Sequence, residues 1–337
     1  MLAIQTLAAA EQAWPPFVLV AGLLLIGAAV DADGIFEAIG GRLARAPLSP
    51  RVLLLALLAL VAGVTAVLNL DTAVVFLTPV LVHVARRRGL DERPFLYGTV
   101  FMANAASLLL PGSNLTNLLV AHKDRVDGGA FALSMLPAWI ASCCVTAAFV
   151  SLAFRLDPGH RDDSEAPPLR LGVGAAAALA AAAVVIALPN PALPVLALGL
   201  AAVTHRRLRP RLDVRMLALL FAFAVGLGAL GRQWNAPAHL LSGSGQIATA
   251  AVAAVGSTLL NNLPAALLFA AHPSLHPRAL LLGLDLGPNL AVTGSLSALL
   301  WLQAARAVDA AASIVTYTRL GVLLVPLTLA ASLPVLS

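Results

Sequence analysis

Long apolar runs separated by short polar or arginine-bearing segments fill this chain from about Phe17 to Leu333. Phe17 to Val30 reads as a first span, closed by Asp31 and Asp33. Residues 34–46 place apolar and charged positions at helical spacing, the pattern of a helix lying in a membrane interface. Two apolar arms follow, 52–68 and 73–85, split by Asn69, Leu70, Asp71 and Thr72. Arg51 stands before this unit and Arg86, Arg87 and Arg88 after it, so both ends face the cytoplasm under the positive-inside rule. That predicts a re-entrant hairpin with its tip in the membrane interior; two full spans joined by a very short outer turn is the other reading. Further runs cover about 94–122, 131–154, 171–188, 195–204 and 216–230. A second hairpin is expected at 246–260 and 263–271 around Asn261 and Asn262, then a run at 278–304 and a last span at 320–333.

Two of these runs cannot be continuous helices. The run at 278–304 carries Gly287, Pro288 and Gly294 together with Asp285, Asn289, Thr293 and Ser295. The run at 94–122 is interrupted by Asn104, Pro111, Gly112, Ser113 and Asn114, with Asn117 one turn beyond. Proline removes a helix hydrogen bond and clashes with the preceding turn. Unpaired backbone at membrane depth survives only inside protein or beside a wet cavity. With one offset of 181 positions, Asn104 falls on Asp285, Asn114 on Ser295 and Leu115 on Leu296. Matched interruptions in two halves of a chain point to a transporter binding site. Each asparagine alone also fits a structural role, as the cap of a broken helix end.

The expected architecture is therefore an all-α polytopic membrane protein built from inverted repeats. Each repeat holds a re-entrant helical hairpin and a broken transmembrane helix. Residues 1–156 form the first (hairpin about 51–88, broken helix about 94–122) and 157–170 a cytoplasmic linker. Residues 171–337 form the second (hairpin about 245–272, broken helix about 278–305). The first sixteen residues are too weakly apolar and too short to read as a signal peptide.

Composition narrows the function. The chain is 60% hydrophobic and 11% charged, with mean hydropathy +0.92, which excludes a soluble domain. Lys123 is the sole lysine; the net charge of +5 reflects arginines at loop ends, most densely Arg206, Arg207, Arg209, Arg211 and Arg215. Such a pattern orients spans and does not make a nucleic-acid surface. Cys143 and Cys144 are adjacent and point about 100° apart on a helix, which suits packing better than a disulfide or metal site. There is no HExxH, P-loop or GxSxG pattern, which argues against an intramembrane enzyme or an ATP-driven pump in this chain. No cofactor or bound metal is expected beyond a coupling ion.

The stretches 68–82, 103–119, 260–268 and 284–302 resemble the ion-transporter superfamily, and among its branches the arsenite/antimonite efflux permeases. LDLGPNLAVTGSLSALLWL (284–302) is the most specific of the four. The likeness runs over about 16–335, and sodium/proton antiporters and divalent anion:sodium symporters share the architecture. It implies secondary active transport of a small inorganic or anionic solute across a bacterial inner membrane, with proton-coupled arsenite or antimonite efflux as the leading reading. A sodium/proton antiporter, or a sodium-coupled carrier of a small dicarboxylate or oxyanion, is the alternative. It leaves room for a homodimer and for a partner ATPase. Relative to the family, the first half is expected to lack two spans. At the position of Asn104 the family often carries aspartate, so a proton would fall to Asp71 and Asp285.

Arsenous acid is largely neutral at pH 7 and resembles a small triol, so a pocket of amides and hydroxyls without lysine or arginine suits it. Asp71 and Asp285 are expected to carry H+, with Na+ at Asp71 and Thr72 as the variant reading. Asn69, Asn104, Ser113, Asn114, Asn117, Asn261, Asn262, Asn289, Thr293, Gly294 and Ser295 are expected to line the path.

Overall fold

The computed structural model describes residues 2–124, 128–160, 168–188, 190–209, 214–234, 240–241, 243–271 and 274–336. Among these residues there are fifteen α-helices and no strand. In chain order they are α1 (Leu2–Ala32), α2 (Ile35–Arg45), α3 (Pro50–Val67), α4 (Leu70–Arg87) and α5 (Arg93–Ala106). Next come α6 (Leu115–Asp124), α7 (Gly128–Ala153), α8 (Val173–Ala187), α9 (Ala192–His205) and α10 (Val214–Gln233). The last are α11 (Gln246–Leu260), α12 (Asn262–Phe269), α13 (Pro277–Leu286), α14 (Leu296–Ala307) and α15 (Ile314–Ser332).

The hairpins and breaks fall where the polar interruptions do. Asn69 separates α3 from α4, and Asn261 separates α11 from α12 with φ 75°. Between α5 and α6 the chain makes one 3-10 turn, Pro111–Ser113; between α13 and α14 it makes two, Gly287–Leu290 and Val292–Gly294. Hairpin, broken helix and span thus occur in the same order as α3–α7 and α11–α15. The contacts repeat too: α3 packs on α5 as α11 packs on α13, and α7 packs on α15. Across the halves, α4 packs along α14 while α12 packs against α6, each half offering its second hairpin arm to the other's second half-helix.

One expectation fails at the start of the chain. The first span begins not at Phe17 but at Leu2, as a single helix of 31 residues with Pro15 and Pro16 inside it. Its alanine-rich beginning packs on α10, where Ala9 and Ala13 meet Val225 and Ala229. Arg232 Nη2 donates to Ala8 O at 3.3 Å and Gln12 Oε1 at 2.6 Å. Tertiary packing thus carries the helix through prolines that isolated propensity treats as an ending.

The framework around the hairpins is close-packed. Helices α1 and α9 meet backbone to backbone: a Cβ on Gly22 would fall 2.7 Å from Leu196 N. Asp33, buried beyond α1, receives the Gly174 amide at 2.8 Å and pairs with Arg206 at 2.5 Å, tying α1 to the ends of α8 and α9. The buried Arg88 donates to the carbonyls of Ala44, Ala46 and Leu48, so the end of α2 is held at the exit of the first hairpin. Large apolar side chains stand outward on α7, α8, α11 and α15, among them Leu133, Leu179, Ile247 and Leu323, each at least 60% exposed. Exposed apolar side chains of this kind suit a lipid environment. Four helical stretches among the described residues are long and apolar enough to cross a membrane: Gln5–Ala32, Pro50–Val67, Gly128–Ala153 and Ile314–Val335.

Candidate functional site

Breaking a helix frees backbone carbonyls, and at membrane depth each needs a partner. After α5 they are taken by α7: Trp139 Nε1 donates to Ala106 O at 3.0 Å and Ser142 Oγ to Ala105 O at 3.3 Å. Asn117 spans the gap, donating to Ser107 O at 2.7 Å and Leu110 O at 3.1 Å. After α13 the partners are Thr258 on Gly287 O at 3.0 Å and Tyr317 Oη on Pro288 O at 3.0 Å. These freed carbonyls at both breaks are thus satisfied from within the protein.

The four half-helix N-termini are capped from the predicted set. Asn69 Oδ1 accepts the Thr72 amide at 2.7 Å, and Asn114 Oδ1 accepts that of Thr116 at 3.3 Å. Asn261 Oδ1 accepts from Leu263 N at 3.4 Å and Ser295 Oγ from Ala298 N at 3.1 Å. Three of these caps, Asn69, Asn114 and Ser295, are buried, so the helices they start bring positive dipole ends inside the protein, where such ends favour negative or strongly dipolar groups.

Asp285 is the centre of the larger polar cluster. It is fully buried, and Asn114 Nδ2 donates to its Oδ1 at 2.9 Å. Thr116 Oγ1 donates to the same oxygen, and Ser107 Oγ lies 3.5 Å from Oδ2. Asn104 Nδ2 donates to Asn289 Oδ1 at 2.8 Å, so the two break positions touch across the halves. Asp71, 4% exposed, accepts from Ser297 Oγ at 2.5 Å. Among the described residues, neither acid forms a salt bridge.

The remaining predicted residues divide. Ser113 donates to Ala66 O at 3.2 Å, joining the first break to the end of α3. Thr72 is turned to α1, where a Cβ on Gly27 would come 2.4 Å from its methyl. Gly294 lies against Pro288, too close for a Cβ. Asn262 is buried at the head of α12. Asn261 Nδ2 donates to Thr293 O at 3.2 Å, Thr293 itself is exposed, and among the described residues no hydrogen bond connects this pair to either acid. Sequence reasoning missed Ser107, Thr116 and Ser297. The last two were within reach, because Thr116 falls on Ser297 with the offset that pairs Asn114 with Ser295.

Several buried amide atoms have no hydrogen-bond partner among the described residues: Asn69 Nδ2, Asn104 Oδ1, Asn117 Oδ1 and Asn289 Nδ2. Leaving a buried amide group unpaired costs about 1–3 kcal/mol, so a ligand or water that satisfied these donors and acceptors would be favoured. No group of three or more potential metal-ligating side chains occurs among the described residues.

Paired hairpins, paired broken helices and a buried polar centre without a fixed counter-cation define a multi-pass secondary transporter. More narrowly, the model described as "CitMHS: Citrate transporter" matches residues 1–287, and the chain belongs to that family. It is 26% identical over 326 residues to the arsenical pump membrane protein of Yersinia enterocolitica, covering 83% of this chain and 76% of that one. It is 30% identical over 118 residues to the silicon efflux transporter LSI3 of Oryza sativa subsp. japonica, a match covering 35% of this chain and only 24% of the rice protein. The YdaH transporter of Alcanivorax borkumensis, whose crystal structure has an unusual topology, matches with TM-score 0.59 and 14% identity over 98% of this chain and 86% of that one. That likeness concerns the fold.

Proposed function

We propose that the chain exports arsenite or antimonite, as the neutral hydroxylated acid, across a bacterial inner membrane in exchange for protons. Two inverted repeats alternate the access of the central cluster between the two sides. The observation that carries this reading is the chemistry of the centre. Its groups are amides, hydroxyls and two acids, while Arg88, the buried basic residue among those described, is engaged with three carbonyls of the α2 exit. A polyanion would lack a cationic partner there, whereas each O–H of a small triol can find an acceptor or donor. A relative named for arsenical pumping and one named for silicon efflux support the same class of solute. Asp71 and Asp285 take up and release the proton, because a carboxylate moving between wet and apolar surroundings changes its affinity for one.

A second reading is a small carboxylate carried with Na+, favoured by the three buried helix N-termini and by the family description. Everted membrane vesicles separate the two. Arsenite accumulation that depends on an imposed pH gradient and is lost in Asp285→Ala supports the first. Citrate uptake driven by Na+, with no arsenite movement, would overturn it.

A further inference from the structure

Thr116 and Ser297 each stand two residues beyond the cap of a second half-helix, Asn114 for α6 and Ser295 for α14. Each hydroxyl donates to an acid belonging to the other half of the chain: Thr116 to Asp285 on α13, Ser297 to Asp71 on α4. All four side chains are at most 4% exposed. Among the described residues, Asp285 is partnered by Thr116, Asn114 and Ser107, and Asp71 by Ser297. No basic side chain is among them.

We propose that Thr116 and Ser297 are positioning residues that let each half-helix sense whether the opposite acid is loaded. This inference rests on the proposed coupling role of the two acids. A hydrogen bond to a carboxylate is roughly twice as strong as one to a neutral acceptor. The empty acid therefore holds the first turn of the half-helix, and an acid neutralised by its coupling ion lets that turn go. The two latches are separate in place. The α4 and α14 pair runs from Asp71–Ser297 to Arg86 and the Val308 carbonyl, whereas α6 runs from Thr116 toward Lys123. Loading of Asp71 thus loosens α14, and loading of Asp285 loosens α6.

The test is hydrogen–deuterium exchange on the full chain in lipid nanodiscs, which needs no substrate and so stays informative if the transport reading fails. Asp285→Asn stands for a loaded acid, and Thr116→Val removes the hydroxyl at nearly constant volume. Thr116→Val should raise exchange of the 115–120 amides about tenfold, the worth of one charge-assisted bond, Asp285→Asn should raise exchange of the same amides, and the double variant should go no further than the larger single effect. Ser297→Ala and Asp71→Asn should do the same at 296–301 only. Thr116→Ser and Ser297→Thr, which keep the hydroxyl, should restore wild-type protection. Unchanged exchange in Thr116→Val, additive effects of Thr116→Val and Asp285→Asn, or loosening of both half-helices by every variant would overturn the proposal.

Discussion

Individual residues in this molecule carry two duties at once, which explains both what the sequence disclosed and what it hid. Asn69, Asn114 and Asn261 are caps, yet Asn114 also grips Asp285 and Asn69 keeps a free buried amide. A capping role thus does not use up the side chain at Asn114 or Asn69. The hydroxyls of Ser107, Thr116 and Ser297 stayed hidden because a Ser or Thr near a helix end is common for local reasons. Only the partner acid, distant in sequence, reveals their use. Asn69→Ala should cost about 1 kcal/mol as a lost cap, measured as a lower thermal midpoint in detergent. Tyr317→Phe should cost about 1–3 kcal/mol, because Pro288 O would be left buried and bare. Gly321→Ala should be harsher still, since its Cβ would fall 1.7 Å from Asn289 O; loss of folded protein on size exclusion checks it.

At the level of elements, hairpins and broken helices were legible because Pro, Gly and Asn stand where hydrocarbon should surround the chain. The reach of α1 was not, since packing of Ala9 and Ala13 on α10 overrides two prolines. Also illegible was the clasp between loops. Arg86 at the end of α4 donates to Glu92 at 2.6 Å and to the carbonyls of Val308 and Asp309 at 2.7 and 3.0 Å. Glu92 in turn accepts the Ala311 amide at 3.0 Å. The clasp ties the α14–α15 connection of one half to the α4–α5 connection of the other. Arg86→Lys should not replace it, because one ammonium cannot serve a carboxylate and two carbonyls in the fork geometry of a guanidinium. Amides 308–312 should exchange faster in both Arg86→Lys and Arg86→Ala, with only a small fall in global stability as expected of an exposed pair.

For the whole molecule, the shared order of elements was foreseeable from the 181-residue offset, whereas the reciprocal contacts between halves emerge only in the fold. The reciprocal arrangement of α4 with α14 and of α12 with α6 suits a machine whose halves move against one another around a fixed centre. Which solute occupies the centre was not legible, because amides and hydroxyls accept many partners and the distinguishing feature is a missing cation. The most direct measurement is arsenite flux in proteoliposomes under an imposed pH gradient, for the wild type, Asp71→Asn and Asp285→Asn. Uphill arsenite movement by the wild type, collapsing to the passive rate in both variants, is the expected result. Gradient-driven movement that persists in either variant would contradict the assignment of the coupling proton to these two acids.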